Sequence, residues 1–419
     1  MKRFMFFLLA LLIPTQLLYA APVLTLEEAL TTALKNNPQI VEAKENLNGT
    51  DARTGLALSN YYPQISITAD WSRGRSYLTA LQGIKTTEVN TEALYLKQTI
   101  YDFGRTAGAV AAARGNRDAA DQALAVTLQD LTLRVRSAYY LLLAAEKQVV
   151  AIRETVKARE DVFRQAEEFL KQGVRAKVDV ARAEATLFAA KTSLIRADNN
   201  REIVRVELAN AMGMESLGER PLVEPPSVSP PVPEMASSQQ DALRNRSELR
   251  QFAALKSAAS GNLTSAKSSY LPILSGVASA GYADRDFPPT GNVWGVGLNL
   301  TVPLFSGFSS VEQVREATAA INSIEARQNS LRLQISKEVE SARLGVNEAA
   351  ARMVSTEKEV AAANESKSLA EGRYQEGVGS IIEVSDAQSQ ALDAQTSNIQ
   401  AKYDYYTALA RFDRAVGKQ

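Results

Sequence analysis

The sequence predicts a mainly α-helical chain that carries two pairs of membrane-length β-strands and uses one structural plan twice. Three observations predict it. First, the chain repeats itself weakly but in order. Ala33-Leu34-Lys35-Asn36, Tyr62-Pro63, Thr99-Ile100 and Gly173-Val174 return as Ala242-Leu243-Arg244-Asn245, Leu271-Pro272, Thr301-Val302 and Gly377-Val378, at offsets of 209, 209, 202 and 204 residues. A fixed order at a near-constant period marks an internal duplication. Second, four segments alternate apolar and polar residues with the period of a strand. Third, two tracts of about 70 residues hold no proline and keep a helical pattern, far longer than a globular domain needs.

In chain order, residues 1–21 read as a secretory signal peptide. Lys2 and Arg3 precede an apolar run from Phe4 to Ile13, and the small residues Ala20 and Ala21 precede Pro22. The run is short for the alternative, a membrane anchor. No later segment has 18 consecutive apolar residues, so a membrane crossing has to be made by strands.

The first repeat is expected over 22–218. A helical segment over 25–61 is interrupted at Asn36-Asn37-Pro38, an acceptable place for a new helical start. Strands follow at 63–72, with Ile65, Ile67, Ala69 and Trp71 on one face, and at 88–103, with Leu94, Leu96 and Ile100 on one face. A long helix at 105–172, on the order of 100 Å, carries the apolar seam Val135, Tyr139, Leu142 and Val149. A turn at Gly173-Val174 leads to a helix at 176–212. The Ala- and Gly-rich start of the long helix, from Gly104 to Ala113, has two readings: raised helix propensity, or room for close packing. Residues 219–234, dense in proline, form a linker or strap.

The second repeat is expected over 235–419. Its strands fall at 272–283 and 293–305, the latter with Val296, Leu298, Leu300, Val302 and Leu304 alternating against Gly297, Asn299, Thr301 and Pro303. A long helix follows at 309–375 and another at 380–416. Strands of about ten residues suit a tilted crossing of the hydrocarbon layer, although a soluble sandwich would alternate in the same way. Four strands close no barrel, so in a membrane their edges need other chains.

Composition narrows the function classes. Lys plus Arg equal Asp plus Glu at 47 each, which argues against a nucleic-acid surface. The chain has no Cys and no His. Disulfides, thiolate sites and a cysteine nucleophile are thereby excluded, along with the commonest general base near neutral pH. A phosphate-binding loop of the GxxxxGK[ST] kind is absent from the sequence. A helix-rich hydrolase is disfavoured, and a periplasmic helical adaptor or scaffold, the main alternative, would leave the four strands unexplained.

The chain resembles the outer-membrane efflux protein family, the TolC-like channel-tunnel proteins. The resemblance rests on Leu26-Glu27-Glu28-Ala29-Leu30 with Asn37-Pro38, on Tyr62-Pro63, on Thr301-Val302-Pro303-Leu304-Phe305-Ser306-Gly307, and on Tyr374-Gln375-Glu376-Gly377 leading to Ile382-Glu383-Val384-Ser385-Asp386-Ala387. It covers essentially the whole mature chain. It implies a homotrimer in which four strands per chain form one 12-stranded β-barrel in the outer membrane, continued by a long periplasmic α-helical barrel. It also implies a passive duct for efflux or type I secretion that catalyses nothing and needs no cofactor. The implied partners are outer-membrane lipid, a periplasmic adaptor (membrane fusion) protein and an inner-membrane transporter of the RND, ABC or MFS type.

Glu383 and Asp386, three apart, lie near one helical face. Three copies would set two carboxylate rings at the periplasmic entrance, and by resemblance these positions match acidic gate residues. The plainer reading is that they are solvated acids near a helix N-terminus. Asp179 and Arg182 hold the comparable places in the first copy and are expected to pack beside the gate. Tyr374 matches a tyrosine of the family's closure network. Gly379 is a departure, standing where the family pattern carries a basic tether. Closure is therefore expected to depend on helix packing and the acidic rings, or on another basic residue such as Arg373. The turns Gly173-Val174-Arg175 and Gly377-Val378-Gly379 resemble docking loops for the adaptor, or are plain hairpin turns.

Overall fold

The structure, a computed structural model, describes residues 23–78, 82–226 and 235–418. The signal-peptide expectation and the end of the 219–234 connection lie outside them. Helices α1 (Leu26–Asn36) and α2 (Pro38–Leu58) lead into strands β1 (Gln64–Leu78) and β2 (Gly83–Tyr101), then α3 (Arg105–Lys171) and α4 (Lys177–Ala211). The second set is α5 (Met235–Asn245), α6 (Ser247–Lys267), β3 (Ile273–Asp284), β4 (Gly291–Thr301), α7 (Ser309–Gln375) and α8 (Ile381–Ala415). Corresponding helices match residue for residue in length: 11, 21, 67 and 35 in each set. The strands do not, at 15 and 19 against 12 and 11. The drop in repeat offset from 209 to 202 thus lies in the hairpins.

The chain divides into two compact units that do not coincide with the two repeats. One, the turn unit, takes the described residues of 1–35, 135–230 and 356–403; the other, the sheet unit, takes those of 36–134, 231–355 and 404–419. Each draws segments from both copies.

In the sheet unit the strands form one antiparallel sheet in the order β1-β2-β3-β4. Pairs such as Ile65↔Leu96, Ile67↔Leu94, Leu96↔Ala278 and Ala278↔Val296 set one register across all four strands. Directly paired residues share a face. One face therefore carries Ile65, Ile67, Trp71, Leu94, Leu96, Trp294, Val296, Leu298 and Leu300, and the other Ser66, Thr68, Asp70, Tyr95, Lys97, Ser279, Gly295 and Gly297. The apolar face is bare, with Val296 at 79% and Ile67 at 78% exposure.

The strand bounds differ from expectation for identifiable reasons. Pro63 and Pro272 lack an N–H and precede their strands rather than join them. β1 runs past Ser72 to Leu78 because ladder pairing continues where the apolar pattern stops, with Arg73 opposite Glu88. β4 ends at Thr301, two residues before Pro303, leaving Val302 and Leu304 beyond the ladder.

Beneath the sheet, α3 meets α6 at backbone distance. A Cβ on Gly108, Gly115 or Gly261 would lie 2.5–2.7 Å from the backbone of the facing helix. Of the two readings of the small residues at the start of α3, close packing accounts for Gly108 and Gly115. The α7 and α8 segments of this unit bury Ile335, Val339, Val346, Tyr405 and Phe412 with Ala242 and Leu249.

In the turn unit the seam residues Val135, Tyr139, Leu142 and Val149 are all buried. The proline-rich connection is strapped down here. Leu222 bridges Leu24, and the Tyr139 hydroxyl lies 2.9 Å from the Leu24 carbonyl and 2.8 Å from that of Val223. Glu224 is paired with Lys147 and Lys402.

Candidate functional site

The site-bearing residues expected from the sequence all fall in the turn unit, around the α3–α4 and α7–α8 turns. Both long helices end alike. Gly173 (φ 73°) and Gly377 (φ 77°) take the left-handed conformation that favours glycine. Val174 N–H then donates to the Phe169 carbonyl at 2.9 Å, and Val378 N–H to the Arg373 carbonyl at 3.0 Å. The offset of 204 from Gly173 to Gly377 also relates Phe169 to Arg373, Arg175 to Gly379, Asp179 to Glu383 and Arg182 to Asp386. The two turns share one backbone and differ in chemistry at these positions.

Beneath the turns is an apolar plug. Ala166, Ala183, Ala370, Tyr374, Ile381, Val384 and Ala387 are buried together, with Val162, Phe163, Phe169 and Val180 packed against them. Tyr374 is its largest member, 1% exposed, and meets Phe169 edge-on at 5.7 Å. Its hydroxyl is buried with no hydrogen-bond partner among the described residues. Burial raises its pKa, the Asp179 carboxylate raises it further, and Arg175 partly offsets both. Tyr374 and Asp179 are thus neighbours electrostatically, without a hydrogen bond between them.

Glu383 and Asp386 are both exposed on α8, three residues apart. Glu383 lies in the first turn of α8, with its N–H on the Ser380 hydroxyl at 3.2 Å. Its carboxylate pairs with Arg373 at 3.3 Å, both side chains being well exposed. Asp179, in the first turn of α4, is half-buried, and Arg182 is exposed.

The turns are joined by a residue expected only as an adaptor contact. The Arg175 Nη2 donates to the Gly377 carbonyl at 3.0 Å and also to the Gly379 carbonyl. The guanidinium lies 5.6 Å from the centre of the Tyr374 ring. A side chain at Gly379 requires the turn to shift, since its Cβ would sit 2.9 Å from Tyr374 N and 3.0 Å from the Arg373 carbonyl carbon. The sequence held a signal for this in the exchange of Arg175 for Gly379 between the copies. Val378 is among the most exposed apolar residues of the unit, and Val174 is exposed as well.

The sequence profile described as Outer membrane efflux protein matches residues 29–214 and again 239–418, once for each copy. Protein CyaE of Bordetella pertussis is 26% identical over 387 residues, spanning 90% of this chain and 80% of that protein. The outer membrane efflux protein BepC of Brucella suis is 25% identical over 400 residues, spanning 94% and 85%. Among solved structures, the outer-membrane channel OprN superposes with a TM-score of 0.84 at 20% identity, covering 94% of this chain and 90% of that one. At that identity the likeness speaks for the fold: helices with a four-stranded antiparallel sheet, duplicated within the chain.

Proposed function

The chain belongs to the outer membrane efflux protein family, and from that premise we propose that three copies form one duct through which an inner-membrane transporter and a periplasmic adaptor discharge cargo. It is an outer-membrane channel component of the efflux and type I secretion class. It acts as a passive conduit, with energy supplied by the transporter.

The observation that carries assembly is the sheet, and the family sets the number of chains at three. The sheet has one bare apolar face and one polar face, and among the described residues β1 and β4 each pair on one side only. In hydrocarbon an open edge costs several kcal/mol for each unsatisfied backbone group, so closure by identical sheets, β1 of one against β4 of the next, is the economical arrangement. Lipid then covers the face of Ile67, Trp294, Val296 and Leu298, and water the face of Ser66, Thr68 and Ser279. Outer-membrane fractionation followed by electrophoresis with and without heating tests this. A heat-labile species of three chains is expected; a monomer in the periplasmic fraction would favour the adaptor or scaffold alternative.

At the two turns the reading is a cation-selective entrance. Glu383 and Asp386, exposed on α8, are repeated by the trimer into two carboxylate rings that concentrate cations and bind multivalent ones. Tyr374, Asp179 and Arg182 belong to the surroundings that set closure. The turns carrying Val174 and Val378 offer exposed apolar side chains on glycine-built backbones, which suits docking to the adaptor. In planar bilayers, Glu383→Ala combined with Asp386→Ala is expected to lose cation selectivity and block by multivalent cations. Unchanged values for both would remove the two acids from the gate.

A further inference from the structure

We infer that Arg175 is the latch that holds the two periplasmic turns of each protomer together, taking over the tether that Gly379 cannot supply. The inference rests on the reading of these turns as the entrance of the duct and assigns its closure to a particular residue.

Three observations carry it. Arg175 stands on the α3–α4 turn, yet the acceptors of its Nη2 are the carbonyls of Gly377 and Gly379 on the α7–α8 turn. Separation of the α7–α8 turn, which leads into the helix of Glu383 and Asp386, from the α3–α4 turn breaks those bonds. Hydrogen bonds from a charged donor are the stronger kind, and a guanidinium is shaped to bridge two acceptors. Next, Arg175 occupies the repeat-equivalent place of Gly379, so of the two turns the first carries the basic residue at this position and the second does not. At 379 a side chain would crowd the turn, because its Cβ would lie 2.9 Å from Tyr374 N. Finally, the guanidinium lies against the Tyr374 ring, a residue buried in the plug that both hairpins share. Arg175 therefore grips the α7–α8 hairpin at two carbonyls and one ring.

The grip is built to release. Arg175 Nε and the Tyr374 hydroxyl are both buried with no hydrogen-bond partner among the described residues. Unpaired buried polar groups raise the energy of the latched arrangement. A docking protein that offered carbonyls to Arg175 at the exposed turn would compete directly with Gly377 and Gly379.

The test uses the full-length trimer in planar bilayers. Arg175→Ala is expected to raise the time-averaged current at fixed voltage roughly tenfold or more, with cation selectivity retained. Because the native chain has no cysteine, Val174→Cys and Val378→Cys can be added to that variant and bridged with a flexible bis-maleimide. Bridging should return the current to the wild-type level, which a merely structural role for Arg175 would not produce. A wild-type current in Arg175→Ala, or a raised current that bridging leaves unchanged, overturns the latch. Should Arg175→Ala fail to assemble, Arg175→Lys keeps the charge without the planar fork; an intermediate rise supports the latch and a wild-type current overturns it. Failure of the acidic gate reads out separately, as unchanged selectivity in the Glu383→Ala, Asp386→Ala double variant.

Discussion

Single residues decide how the two copies of one turn come to differ. Gly377 is a glycine because of its backbone, at φ 77° with open space around it; Gly379 is one because of its neighbours, with Tyr374 N 2.9 Å from any Cβ. The first requirement could be seen in the sequence, where Gly173 and Gly377 recur in register. The second could not, because it depends on how closely the turn folds back over the end of α7. Restoring a basic residue at that position by Gly379→Arg should therefore lose stability rather than gain a tether, by about 1–3 kcal/mol as for other overpacked sites. Hydrogen exchange should show faster amides at Val378 and Gly379, and protection equal to wild type would mean that the turn yields freely. Tyr374→Phe is expected to behave otherwise. Its hydroxyl is buried without a partner, so removing it should leave thermal stability equal or slightly higher; a loss of more than about 1 kcal/mol would reveal a hydrogen bond that this conformation lacks.

At the scale of elements, the repeat preserved helix lengths and let helix starts and strands diverge. The start of α2 is capped by Asn37, whose side-chain carbonyl accepts the Gln39 N–H at 2.9 Å, with Pro38 in the first turn. The start of α6, 209 residues on, has Arg246 instead, 5% exposed and bonded to Glu248 twice at 3.1 Å and to Glu338 at 2.8 Å. The first joint was legible as Asn-Asn-Pro. The second was not, because besides the neighbouring Glu248 its partners come from α7 and α8, Glu338 and the Ala415 carbonyl. Packing of α3 on α6 was half legible: the small residues stood out, but not which helix they faced. Gly261→Ala should cost about 1–3 kcal/mol, since its Cβ would fall 2.5 Å from Ala112 N. Gly55, with nothing within 4 Å, serves as the control, where alanine should be neutral or stabilising by up to about 1 kcal/mol. Equal melting temperatures for the two variants would argue against close contact of α3 with α6.

At the scale of the molecule, the sequence made the duplicated order, the two-faced sheet and the need for partner chains readable, since each follows from periodicity. It left unread how segments far apart in the chain are bound into one unit. The charge network at the α5–α6 joint is the clearest case. Arg414 of α8 holds Asp130 of α3 at 2.7 Å and Glu248 of α6 at 2.6 Å, while Arg246 reaches the Ala415 carbonyl at 3.2 Å and Glu338 of α7. Burial pushes the Glu248 carboxyl up, but hydrogen bonds from Arg414 and its own backbone N–H, with the charges of Arg414 and Arg246, outweigh it and hold the pKa below its ordinary value of 4.5. A carboxylate whose pKa is depressed by folding stabilises the fold above the unfolded value. That contribution fades as the pH falls from the ordinary value of 4.5 through the lower folded value. Wild-type protein should thus lose melting temperature across this window. Glu248→Gln should start less stable at pH 7, because Arg246 and Arg414 lose an anionic partner at a buried site, and should then fall less steeply on acidification. Parallel melting curves for the two proteins from pH 7 to pH 3 would place the acid sensitivity in other carboxylates.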